Sequence, residues 1–279
     1  MKITISVDNT ADLGPELLAK HNIIPVYTGA VIGDKFYLDK DLTPEDIYKS
    51  MEVDNVVPKT SACLETDYRE IFEEATKDGG AAIHISMSSN ISASYENAKR
   101  AAKDFANVYV VDSKSLTLGI GILAIKASEF RAQGMDVREI VEKITDLRDR
   151  VDLSLIINDL KFLHKGGRVS GLKLLGANLL KIRPSLEIDN EGKLVPAKKF
   201  KGDFARCVQE WTQYKLSQNT NVNKDLVFVA HTEIDPKIPA QIVADLKKAG
   251  FKEIIQLYVG VSITIHAGRN TIGMIIINE

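Results

Sequence analysis

The sequence predicts an α/β fold in two domains: residues 1–150 as a mostly parallel sheet flanked by helices, residues 151–279 as a mixed-sheet α/β domain. Three observations lead there. Short β-branched runs alternate with helical stretches through the first half, a βαβ rhythm. Beyond residue 150 the texture changes to a glycine turn, a hairpin and mixed pairing. The chain, at 279 residues, is also roughly twice a typical domain of about 100–150 residues.

The elements follow in order. Ile3 to Val7 reads as a strand ending at Asp8-Asn9-Thr10, and Asp12 precedes a short helix through Ala19. Ile23 to Ile32 is one β-branched run that breaks at Gly33-Asp34. Thr43 as N-cap, Pro44 at the first helical position and the acids Glu45 and Asp46 start a helix. Ala81 to Met87 and Val108 to Val111 are continuous apolar runs, as strands covered on both faces require. Helices follow each, Ser92 to Phe105 and Thr117 to Gln133, and a charged helix runs from Val137 to Arg150. The second half gives a strand Leu153 to Ile157, a Gly166-Gly167-Arg168 turn and a Gly- and Leu-rich helix near Leu172 to Leu180. A hairpin, Ser185 to Ile188 and Lys193 to Phe200, turns at Asn190-Glu191-Gly192. Helix Asp203 to Ser217, strand Leu226 to His231, helix Lys237 to Ala249 and strands Ile254 to Tyr258 and Thr271 to Ile277 complete the chain.

Composition removes several functions. A net charge of −2 lacks the basic field of a nucleic-acid binder. Cys63 and Cys207 are too few for a secreted disulfide scaffold, and His21, His84, His164, His231 and His266 lack metal-ligand spacing. The start, Met1 to Asp8, meets an acid before any long apolar core and does not read as a signal peptide; no stretch reaches the length of a membrane span. The expectation is a cytoplasmic protein without metal or cofactor. Gly119 and Gly121 lie in a helical run without a third glycine, so they read as packing or ligand-approach positions, not a dinucleotide fingerprint.

Two constellations suit an anion. Lys59-Thr60-Ser61 follows Val57-Pro58, and five serines (Ser86, Ser88, Ser89, Ser92, Ser94) surround a strand-to-helix junction. Such a junction opens into the crevice of an α/β sheet, and a helix N-terminus offers N–H groups to a carboxylate or phosphate. Simple N-capping explains one or two of the serines. Asp8 and Asp112 end comparable strands, as turn caps or as part of the same crevice edge. His266, at the end of an apolar run, is either a hydrogen-bonded structural residue or a group that meets a carboxylate. Serine with histidine also suggests a hydrolase, but the Gly-x-Ser-x-Gly elbow is missing. Lys161, Lys165, Arg168 and Lys173, with Lys198, Lys199 and Lys201, form two basic segments: solvated faces or a docking edge.

Taken in order, these segments resemble the DegV family of bacterial fatty-acid-binding proteins. Ser6 to Leu13 is similar to its opening Asp-Ser-Thr-Ala-Asp-Leu signature, Pro58 to Ser61 to its Lys-Thr-Ser turn, and Ser88 to Tyr95 to its Ser-Ser-x-Leu-Ser-Gly-Thr-Tyr. Val110 to Ser113, Leu163 to Arg168 and His266 to Gly268 complete a series that spans nearly the whole chain. The resemblance implies a two-domain DegV-like fold with a long-chain fatty acid in a buried pocket, its carboxylate held by Thr60, Ser61, Ser92 and His266. Leu116, Leu118, Ile120, Ile122 and the Leu172 to Ile182 segment are candidate walls for the tail, or ordinary core. It further implies a subunit without catalytic residues that presents the carboxylate to a fatty-acid kinase for acyl-phosphate and phospholipid synthesis. Arg168 and Lys201 are then the docking edge, and transient contact with a membrane surface is admitted. A stand-alone lipid carrier or sensor and a Ser/His acyl hydrolase are the alternatives.

The sequence departs from the family at Asn9 for Ser, Ala62-Cys63 for Gln-Pro, Ala93-Ser94 for Gly-Thr, and Arg269-Asn270 for Pro-Gly. Arg269 either tightens anion binding or faces solvent.

Overall fold

The computed structural model describes residues 1–169 and 182–279. The chain clusters into two compact units. One is Met1–Asp149 with Asn190–Gly192 and Gly260–Ser262; the other is Arg150–Asp189, Lys193–Val259 and Ile263–Glu279. The fold is α/β as the sequence predicts, with a parallel sheet flanked by helices and a separate mixed sheet.

In the first unit, β1 (Ile3–Asp8) is followed by α1 (Pro15–His21), β2 (Ile23–Val26), β3 (Gly29–Ile32), β4 (Lys35–Leu38), α2 (Pro44–Tyr48) and β5 (Lys59–Ser61). Then come α3 (Glu65–Thr76), β6 (Ala81–Ser86), α4 (Ser94–Ala102), β7 (Val108–Asp112), α5 (Leu118–Ala132) and α6 (Val137–Arg148). The parallel sheet has the order β2-β1-β6-β7, so the C-terminal ends Asp8, Val26, Ser86 and Asp112 share one edge. The face carrying Ala82, Val108 and Val110 packs on Tyr68, Phe72, Ala98 and Ala101 of α3 and α4. Helix α5 packs along β1 and β6, and α6 along β6 and β7.

Several expectations shift. The single run Ile23 to Ile32 is two strands in different sheets. Thr28 N–H and Oγ1 both donate to Asn9 Oδ1, at 2.8 and 2.9 Å, which turns the chain out of the parallel sheet after Val26. β3 then forms a small antiparallel sheet, ordered β4-β3-β5. Lys59-Thr60-Ser61 is therefore a strand and not a turn, with Thr60 opposite Ala30. The first helix follows Asp12 as read, starting at Pro15 with Gly14 as its N-cap, while the Asp12 carboxylate accepts from Thr117 and Gly260. Helix α3 escapes the sequence reading, although Tyr68, Phe72 and Ala75 form its buried stripe. Thr43 is the N-cap as read, and Asp46 completes a capping box: the Thr43 N–H donates to Asp46 Oδ2 at 2.8 Å and its Oγ1 accepts from Asp46 N–H at 3.3 Å.

In the second unit, β8 (Val151–Ile157), α7 (Lys161–Gly166), β9 (Ile182–Ile188), β10 (Leu194–Lys201), α8 (Phe204–Gln218), β11 (Val222–His231), α9 (Lys237–Lys248), β12 (Glu253–Tyr258), α10 (Val261–Ala267) and β13 (Thr271–Asn278) follow. The sheet order is β10-β9-β8-β13-β11-β12, antiparallel except for the parallel pair β11-β12. Trp211 of α8 is the centre of its core, with its indole N–H donating to Ser154 Oγ at 3.0 Å. The helix expected near Leu172 to Leu180 lies outside the described residues, as does Lys173.

Candidate functional site

The site residues of the first unit sit beside the C-terminal edge of the parallel sheet, and one carboxylate organises that edge. Asp8 is fully buried. Its Oδ2 accepts from Ser86 Oγ and Met87 N–H, both at 2.7 Å, and its Oδ1 accepts from Tyr68 Oη at 2.6 Å and His84 Nε2 at 3.2 Å. Burial pushes the Asp8 carboxyl up, but His84 and the hydroxyl donors outweigh it and hold the group below the usual carboxylate range. So Asp8 is no simple turn cap. Asp112 is one: it accepts from Ser89 Oγ at 2.6 Å and from Lys114 N–H at 2.8 Å.

Ser6 Oγ lies 3.0 Å from His84 Nδ1, which makes Ser6, His84 and Asp8 a serine–histidine–aspartate line. All three side chains are fully buried, so in this arrangement the hydroxyl meets no substrate and the line is internal structure. The sequence reading passed over His84; its signal is a polar residue inside the apolar run Ala81–Ser86, in register with Ser6.

The serine junction is largely self-satisfied. Ser86 serves Asp8, Ser88 Oγ donates to the Gly192 carbonyl at 2.7 Å, and Ser89 serves Asp112. Ser92, half-buried, lies 2.9 Å from Ser94 Oγ and accepts from Ser94 N–H at 3.1 Å in the turn before the helix, which starts at Ser94 with Ala93 as its N-cap. The Ser92 N–H donates to the Ser88 carbonyl at 3.1 Å, fixing the turn. Thr60 and Ser61 are half-buried on β5; Ser61 Oγ makes a long contact, 3.4 Å, to the Ala62 carbonyl. Asn97 of α4 joins the two segments by donating Nδ2–H to the Cys63 carbonyl at 2.7 Å. The stretch just past Thr60 and Ser61 is thus tied to the helix just past Ser92.

The apolar candidates are buried: Leu116 is 6% exposed and Leu118, Ile120 and Ile122 are fully enclosed on or just before α5. Gly121 is a packing position, since a Cβ there would come within 2.9 Å of Leu13 Cδ2 and 3.0 Å of the Ala11 carbonyl. Of the Leu172 to Ile182 segment, only Ile182 is described, as the first residue of β9.

His266, Arg168 and Lys201 belong to the second unit. His266 sits in the last turn of α10 with its ring against Gly166, where a Cβ would be 2.2 Å from Nδ1. A Cβ at Gly268, which has φ +66°, would strike Phe162 of α7 at 2.2 Å. The two glycine-bearing motifs therefore interlock through close contacts that only glycine permits. Loss of solvation, with the Arg168 charge, pushes the His266 imidazole down to about 4, so it is neutral at physiological pH. Of the departures from the family pattern, Arg269 pairs with Glu233, and Asn270 takes the left-handed conformation (φ +57°) that asparagine shares with glycine. Arg168 and Lys201 are exposed. Lys201 borders a groove of about 660 Å³ lined by Lys198, Lys199, Phe200 and Arg206.

A family model described as "Uncharacterised protein, DegV family" matches residues 2–279. The chain belongs to the DegV family. A DegV domain-containing protein of Staphylococcus aureus is 37% identical over 195 residues, 69% of each chain. A DegV family protein of Thermus thermophilus shares the fold with a TM-score of 0.90 at 22% identity, over all of both chains. A Thermotoga maritima protein whose structure reveals fatty acid binding function is 26% identical, with a TM-score of 0.84 over all of both chains. Among the described residues no group of three or more His, Cys, Asp or Glu is placed to hold a metal ion, and no helix is long and apolar enough to cross a membrane.

Proposed function

We propose that this DegV chain binds a long-chain fatty acid, with Thr60, Ser61, Ser92 and His266 taking the carboxylate. The observation that carries the reading is the family match, and the residues it points to are all uncharged donors. Hydroxyls and a neutral imidazole hydrogen-bond an ionised carboxylate without burying an opposing charge. The acyl tail contributes about 0.8 kcal/mol per buried methylene. The reading places the protein in the cytoplasm as a non-catalytic subunit that presents the carboxylate to a fatty-acid kinase, which makes acyl-phosphate for phospholipid synthesis. Arg168 and Lys201 supply the docking edge, both exposed and basic.

Native mass spectrometry of the purified protein, followed by organic extraction, tests the binding. A stoichiometric long-chain fatty acid is expected, with occupancy lost or much reduced in Ser92→Ala and His266→Ala. A clean apo mass that takes up no added fatty acid ends the reading. For the kinase step, charge reversal at Arg168 and Lys201 is expected to abolish acyl-phosphate formation while fatty-acid occupancy stays intact. Unchanged turnover removes the docking assignment, and no turnover in wild type with any kinase leaves the stand-alone carrier.

A further inference from the structure

The two hydroxyl-bearing segments of the first unit, Lys59–Ser61 and Ser88 to Ser94, come from separate stretches of chain. A carboxylate held by both is sensitive to the distance between them, because hydrogen bonds weaken steeply beyond about 3.2 Å. Asn97 links the two stretches. It lies in the first turn of α4, where its N–H donates to the Ala93 carbonyl at 3.0 Å, just past Ser92 and Ser94. Its Nδ2–H donates to the Cys63 carbonyl at 2.7 Å, just past Ser61.

The amide cannot turn over. Asn97 Oδ1 accepts from the Arg100 guanidinium, and Arg100 Nε reaches Glu65 Oε2 at 3.2 Å on the first residue of α3. A flipped amide would oppose its N–H to the guanidinium and its oxygen to the Cys63 carbonyl. On the helix side, Ser92 Oγ is 2.9 Å from Ser94 Oγ, in the turn that leads into the helix carrying Asn97. The Cys63 carbonyl, two residues past Ser61, is thus held by the helix that follows Ser92.

We propose that Asn97 is a positioning residue for carboxylate capture: by tying the Cys63 carbonyl to the helix that opens at Ser94, it sets the spacing of Thr60 and Ser61 relative to Ser92. This rests on the fatty-acid reading above. It goes beyond that reading in assigning a role to a side chain that need not touch the ligand.

The test separates carboxylate recognition from general support of the fold. The full chain is titrated with oleic acid and with oleyl alcohol, which share a tail and differ at the head. Asn97→Ala is expected to weaken oleic acid about fivefold to tenfold, the size of one lost hydrogen bond, while oleyl alcohol changes by less than about twofold. In a Ser92→Ala background the same change adds nothing further for oleic acid, because the group it positions is gone. Asn97→Asp, which keeps the shape and the Arg100 contact but cannot donate to Cys63, serves if the alanine variant does not fold, and the same split is expected. Equal losses for both ligands, additivity with Ser92→Ala, or unchanged oleic acid affinity overturns the proposal. Failure of the wild type to bind oleic acid overturns the fatty-acid reading itself, and is seen before any Asn97 variant is made.

Discussion

Asp8 and Asp12 stand at the two ends of one short turn, and both are buried, yet their surroundings drive their carboxyls in opposite directions. Asp8 collects Ser86, Met87, Tyr68 and His84 as donors and is held below the usual range. Asp12 has two, Thr117 Oγ1 at 2.5 Å and Gly260 N–H at 2.8 Å. Burial there prevails, the Asp39 charge adds to it, and the Asp12 carboxyl is pushed up to about 7. At Asp8 the donors and the electrostatic attraction of His84 outweigh burial, whereas at Asp12 two donors beside the Asp39 charge do not. The first aspartate is a fixed anchor for the strand edge, whereas the second changes charge near neutrality.

The largest expected effect breaks the anchor. Asp8→Asn keeps the volume but places an NH2 group among donors, leaving at least one of them without an acceptor in a site closed to water. A loss of about 3–4 kcal/mol is expected in urea unfolding. Because the Asp8 carboxyl is lowered on folding, its contribution is present above the unfolded-state value and is lost as pH falls through the folded one. A variant as stable as wild type at neutral pH, with the same acid sensitivity, removes Asp8 from its place as anchor.

The anchor was only half legible in the sequence. Asp8 stood out as an acid at a strand end, and Lys59–Ser61 and the five serines from Ser86 to Ser94 as anion candidates, because local spacing records strand ends and turns; Thr60, Ser61 and Ser92 were singled out through the family resemblance. His84, Tyr68 and Asn97 did not, because each acts through a partner remote in sequence: His84 on Asp8, Tyr68 on Asp8, Asn97 on Cys63. The fold shows the same division. Ala81–Ser86, Val108–Asp112 and the Thr43 cap carry periodicity or capping chemistry and were read closely. The small sheet of β3, β4 and β5 has strands of three or four residues whose existence depends on pairing Lys59–Ser61 with the Gly29–Ile32 strand, and local propensity says little about such pairing.

Asp12→Asn sharpens the comparison by reversing its sign. A carboxyl whose folded value lies near 7, above its unfolded value of 3.8, binds its proton more tightly in the folded chain. Stability therefore falls as pH rises from about 4 to about 7, and the cost is fully present above neutrality. An asparagine carries no charge to desolvate. It accepts from Gly260 N–H through its oxygen, and its NH2 donates to the Thr117 hydroxyl, which can accept. Asp12→Asn is expected to be more stable than wild type at pH 8 by on the order of 1–3 kcal/mol, with the gain fading toward pH 4. Thermal unfolding across that range decides it, and a gain independent of pH assigns the effect to packing instead.

The smallest effect concerns what holds Asp12 in place. Thr117 opens α5 at φ +46°, ψ −136°, a region that a β-branched residue enters only under strain. The hydrogen bond from its Oγ1 to Asp12 is the visible compensation. Thr117→Ala removes that bond and most of the branching, so a net loss of about 1 kcal/mol is expected at pH 8. Thr117→Gly removes the bond and the backbone strain together, and glycine is the residue for which this conformation is open. The glycine variant should therefore equal or exceed the alanine variant in stability, the reverse of the ordinary order in a helix interior. Both should move the pH-dependent fall upward, since the lost donor was one of two holding the Asp12 carboxylate ionised. An alanine variant more stable than the glycine variant would show that the turn carries no strain, and the contrast between Asp8 and Asp12 would then rest on their donors and neighbouring charges alone.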